Sequence, residues 1–178
     1  VTVDNGATLD GPTTYTITVE ANDGLGGTSS AGFDITVNNL DPTANDDDFD
    51  FLEDDVNATL DLLTNDTDPA GANDLRTITS VDDSGTTGTA SFSGGQISYS
   101  PDGFFEALGA GKMAVDAFEY TVSDGDGGTD TATVNINITG QNDAPTVVST
   151  VADVDVNQNA ANTAIDLSGI FADVDMGD

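Results

Sequence analysis

Two Asp-x-Asp steps, Asp66-Thr67-Asp68 and Asp173-Val174-Asp175, are the residues of this chain best suited to chemistry. In an extended loop, residues two apart fall on one side, so each step presents two carboxylates together. A hard cation that takes about six to eight oxygen ligands, Ca2+ above all, suits that arrangement. The background supports it: 33 acidic residues stand against two basic ones, Arg76 and Lys112, for a net charge of -31. Only Glu20, Glu53, Glu106 and Glu119 are glutamates, so the excess is aspartate. Aspartate favours turns and holds its oxygens close to the backbone. Asp23 and Asp124, each in an Asp-Gly turn, read equally as turn residues or as outer ligands. Asp124-Gly125-Asp126-Gly127 lacks the third ligand and the distal glutamate of an EF-hand loop.

The same composition excludes other chemistry. Without Cys or His there is no thiol nucleophile, no Cys or His zinc site and no Ser-His-Asp triad. A chain this acidic repels phosphate backbones and anionic membrane surfaces, which argues against nucleic acid and against direct membrane insertion. No stretch approaches the ~20 apolar residues of a membrane-spanning helix. A glycosidase-type carboxylate pair carries no weight, because 33 acids always offer some pair at a suitable spacing. The expectation is that the chain is not an enzyme.

The elements that must position these acids are strands. Tyr15, Ile17 and Val19 alternate with threonines; Phe33, Ile35 and Val37 alternate with Asp34, Thr36 and Asn38. Phe118, Tyr120 and Val122 alternate with polar residues, as do Val134, Ile136 and Ile138. That is period two, the signature of half-buried strands, whereas disordered acidic tails lack it. The stretch from Phe104 to Ala114 is interrupted by Gly109 and Gly111 and reads as a loop.

The pattern repeats. Asp23-Gly24 and Gly26-Gly27-Thr28 recur 101 residues later as Asp124-Gly125 and Gly127-Gly128-Thr129, each time between two alternating runs. Each unit is a hairpin whose glycines supply the positive φ of its turn. Each is followed by a Pro-bearing junction, Asn39-Leu40-Asp41-Pro42 and Asn142-Asp143-Ala144-Pro145, stiffened by the fixed φ of proline. The expected organisation is the tail of one module at 1–40, a complete module of sandwich size at 41–140, and the head of a third at 141–178. Val1 without a methionine, and Asp178 inside an acidic stretch, read as ends cut from something longer.

Order and spacing together carry a resemblance. Asp41-Pro42-Thr43-Ala44-Asn45-Asp46-Asp47 is followed by Leu52-Glu53-Asp54-Asp55, Leu62 to Pro69, Ile97 to Asp102, and Phe118 to Gly125. This series resembles the cadherin-like tandem Ig-like repeats of large secreted bacterial adhesins; the first fragment also resembles a PKD-type module. The resemblance implies an all-β chain of Greek-key β-sandwich modules in a linear array, with Ca2+ at the module junctions. Carried onto this sequence, it assigns Glu53, Asp66 and Asp68, with Asp41 or Asn39, to the first junction. It assigns Asp173, Asp175, Asn142 and Asp143 to the second.

Function follows as an expectation: calcium-stiffened spacer repeats of an extracellular, secreted or surface-attached adhesin or fibre. The alternative is a Ca2+-dependent module that itself binds surface polysaccharide or associates with like subunits. Otherwise its partners are neighbouring modules of the same chain. Halophilic adaptation would also enrich acids, but it predicts Glu as well as Asp and no concentration at junctions.

Overall fold

The computed structural model describes residues 12–69, 75–159, 161–162 and 164–175. It is all-β, with no helix among those residues. The first hairpin pairs β1 (Thr13–Asn22) with β2 (Thr28–Val37), antiparallel and in register over all ten residues. Seven strands then build the middle of the chain: β3 (Asp47–Leu52), β4 (Ala58–Leu60), β5 (Thr77–Asp82), β6 (Thr89–Ser93), β7 (Gln96–Ser100), β8 (Met113–Ser123) and β9 (Thr129–Thr139). A last short pair joins β10 (Thr146–Val147) to β11 (Phe171–Ala172).

The seven middle strands form two sheets, ordered β3-β9-β8-β5 and β4-β7-β6. Their facing residues make one core: Phe51, Leu60, Leu62, Ile78, Ile97, Tyr99, Phe118, Tyr120, Val122, Val134, Ile136 and Ile138 are all buried. The period-two runs place these residues on a single face of each sheet, so the alternation is the cause of the sandwich. Phe51 meets the ring of Tyr99 edge-on at 5.2 Å, and Tyr99 stacks on Phe118 at 6.3 Å. The Tyr99 hydroxyl donates to Asp116 at 2.7 Å. Asp116, also buried, accepts the N–H groups of Thr87 and Gly88 on its two oxygens. This explains how a charge sits under the sheet without a cation.

β3, the first strand of the sandwich, runs parallel to β9, the last, with Asp47 opposite Val134 and Leu52 opposite Thr139. Parallel neighbours enter and leave in the same direction, so the chain enters the module at one pole and leaves at the other. Thr43 and Thr67 exchange two backbone hydrogen bonds at the entrance. At the exit, the stretch from Phe104 to Lys112 is a loop of turns leading into β8, as its glycines dictate, and Met113 and Ala114 open that strand. Gly140 accepts from Gly111 at 2.9 Å and donates to Lys112 at 2.8 Å. A Cβ on Gly140 would lie 2.2 Å from the Leu108 carbonyl oxygen, so only glycine lets this loop close over the outgoing chain.

Candidate metal centre

The exit pole gathers carboxylates from four segments. Glu53 follows β3 in the turn before β4, and its N–H donates to Thr139 at the end of β9. Its side chain is 2 % exposed. One oxygen, Oε1, accepts the N–H of Gln141 at 2.5 Å; the other, Oε2, has no partner. Asp175, just beyond β11, is 6 % exposed and uses Oδ2 to accept the N–H of Asp143 at 2.9 Å, leaving Oδ1 unpartnered. Oδ2 of Asp143 is likewise buried and unpartnered. One oxygen from each of Glu53, Asp143 and Asp175 lies within 4.8 Å of the others. A second set, Asp54, Glu106 and Asp143, meets the same criterion. Beside them Glu53, Asp54, Asp55, Asp102 and Glu106 line a cavity of about 240 Å³.

The electrostatics are those of negative groups short of a counter-charge. Burial raises the Asp143 carboxyl above the usual range, and Asp175, Asp54 and Asp173 push it further. Glu106 is raised in the same way, by burial and then by Asp143, Asp54, Glu53 and Asp175. Buried oxygens without donors cost free energy unless something supplies positive charge, and a divalent cation with oxygen preference is the ligand the set fits.

This grouping corrects the assignment by junction. Glu53 was expected beside Asp66 and Asp68, but it lies at the opposite pole. β3 explains why: Glu53 follows its last residue, whereas Asp66 accepts the N–H of Asn45, ahead of its first residue, at 2.8 Å. Six residues of strand span roughly 20 Å. The Asp66 carboxylate is buried and also accepts the Tyr120 hydroxyl at 3.2 Å. Asp68 is buried in the same loop. Asp124 is buried and accepts Asn39 Nδ2 at 2.6 Å, while Asp41 lies exposed beside it. Burial pushes the Asp124 carboxyl up, but the Asn39 amide and the N–H groups of Asp126 and Gly128 outweigh it and hold the group below its usual range.

Of the acids assigned to the second junction, Asp143 and Asp175 lie close together. Exposed Asp173 accepts the N–H of Asp175 at 3.0 Å and so shapes the loop. The Asn142 amide turns onto the backbone carbonyl of Asp143 at 2.6 Å. Sequence reasoning missed Asp54 and Glu106. One signal was present: in a chain whose acids are almost all aspartate, two of the four glutamates, Glu53 and Glu106, meet at this pole.

Comparison with protein families agrees with the architecture. The bacterial Ig domain family matches residues 38–137. No curated protein matches. Among solved structures, the crystal structure of protocadherin gamma C5 EC1-3 is similar at 18% identity with a TM-score of 0.42, over 92% of this chain and 55% of that one. The chain thus spans about half the length of that structure. The family match covers more than half of the sequence and coincides with the two-sheet core, and on that ground the chain belongs to the bacterial Ig domain family.

Proposed function

We propose that this chain is a spacer segment of an extracellular adhesin-type protein, and that Ca2+ bound at the exit pole stiffens the joint between its middle module and the segment that follows. The observation that carries this reading is the convergence of three carboxylates, Glu53, Asp143 and Asp175, each of which keeps one buried oxygen without a partner. They come from the body of the module, from the linker and from the following segment, so an ion held by all three ties the three together. Asp54 and Glu106 supply a second set of ligands that share Asp143.

The test is thermal unfolding with Ca2+ and with excess EGTA at fixed ionic strength. For an extracellular-type site of ~0.1–1 mM affinity, roughly 5 mM Ca2+ stabilises by about 1–2 kcal/mol. The shift is expected to vanish in Glu53→Gln and to survive in Asp66→Asn. A Ca2+ response that Na+ reproduces, or that Glu53→Gln leaves intact, would sink the reading and favour a solvated acidic surface.

A further inference from the structure

The two poles of the middle module treat their acids differently. At the exit, buried oxygens lack donors. At the entrance, Asp124 is 5 % exposed and each of its carboxylate oxygens has a donor. Its Oδ1 accepts the N–H groups of Asp126 at 2.8 Å and Gly128 at 3.0 Å, and its Oδ2 accepts Asn39 Nδ2 at 2.6 Å.

The first hairpin supplies an internal control. Asp23 Oδ1 accepts the N–H groups of Leu25 and Gly27 at 2.8 and 2.9 Å, the same turn built by the same local sequence. Asp23 is exposed, and among the described residues no hydrogen bond reaches its Oδ2. The turn is therefore local, whereas the amide on Oδ2 of Asp124 is delivered by a linker residue 85 positions away. Gly128 leaves the space for it: a Cβ there would lie 2.9 Å from Asn39 Nδ2 and 2.9 Å from the Cα of Asp41. The linker is held further along by buried Pro42 and by the Thr43–Thr67 bridge. β2 ends at Val37, so only Asn38 separates the preceding strand from Asn39.

We propose that Asn39 is a latch: its carboxamide docks the linker on the Asp124–Gly128 tip and holds the entrance joint without a cation. At this tip the donor to the carboxylate is an amide N–H, and a hydrogen bond to a charged carboxylate is among the stronger of its kind. The module then has one joint that is stiff in the absence of ions and one that responds to them. The latch stands on contacts independent of the exit pole.

Backbone and side-chain 15N relaxation on the whole chain in EGTA tests this. Order parameters of residues 39–41 are expected near 0.85, with the Asn39 side-chain amide protected from solvent exchange; Asn39→Ala should lower them below about 0.6. Asn39→Asp replaces the donor with a carboxylate beside Asp41 and Asp124. Its linker should be mobile in EGTA and order only when Ca2+ is added. An unmutated linker that is mobile in EGTA and orders only with Ca2+ would overturn the latch, as would an Asn39→Ala chain indistinguishable from its parent. Residues 141–143 in the same spectra report the exit pole, so failure there is read separately.

Discussion

The chain contains the same hairpin twice, once bare and once covered. β1–β2 and β8–β9 share their alternation, their Asp-Gly turn and a fixed offset of 101 residues. By that offset Val19, Phe33 and Ile35 correspond to Tyr120, Val134 and Ile136. The first three are 56%, 51% and 37% exposed; the second three are 1%, 0% and 0% exposed. The difference lies in the neighbours. β9 lies against β3, β8 lies against β5, and a second sheet covers their inner face. Among the described residues β1 and β2 pair only with each other. Alternation therefore specifies which side of a strand wants burial, and says nothing about whether anything arrives to bury it.

The sharpest way to break the comparison is a matched truncation. Ile136→Ala empties a fully buried site and is expected to cost the middle module about 2–5 kcal/mol in denaturant unfolding. Ile35→Ala, at the equivalent but half-open site, is expected to cost under about 1 kcal/mol. Equal losses would mean that the first hairpin is covered in solution.

A smaller contrast lies at the tips. Gly128→Ala places a Cβ 2.2 Å from Asp124 Oδ2 and 2.9 Å from the backbone of Asp41, and should cost about 1–3 kcal/mol. Gly27→Ala meets only the Asp23 side chain, which is exposed and can turn away, so the loss there should be smaller. Thermal unfolding of both variants decides whether the covered tip is as crowded as its contacts indicate.

The smallest effect concerns the polar load of being covered. Tyr120 brings its hydroxyl to 3.2 Å from Asp47 and from Asp66, where Val19 in the bare hairpin brings none. Burial pushes the Asp47 carboxyl up to about 6, with the nearby Asp66 charge adding to it against the Tyr120 hydrogen bond. A carboxyl raised in the folded state favours folding while protonated, and that contribution is lost as pH rises from the ordinary range through about 6. Asp47→Asn should therefore stabilise at pH 7, by about 1 kcal/mol after allowing for solvent screening, and should be neutral below about pH 4. A variant equally stabilising at both pH values would remove Asp47 titration as the cause.

Much of this was legible in the residues. The period-two runs, the glycine-bearing turns and the proline junctions depend on interactions a few positions apart, and the strands and both hairpins follow them. The role of Gly140 was hidden, because its cause is the carbonyl of Leu108 on another loop. Glu106 and Asp54 were hidden because no spacing along the chain relates them to Asp143.

By itself, then, the sequence determined an all-β chain, its acidic character, its repeat and the turns that cap each hairpin, since these arise from local backbone preference and side-chain alternation. The tertiary structure alone decided which acids meet. The parallel pairing of β3 with β9 sends Glu53 to one pole and leaves Asp66 at the other. The same closure brings Asn39 onto Asp124, filling one carboxylate with a donor, while Glu53, Asp143 and Asp175 converge with oxygens still unfilled. Which carboxylates keep unfilled oxygens depends on the donors that distant segments deliver, and distance along the chain carries no record of that.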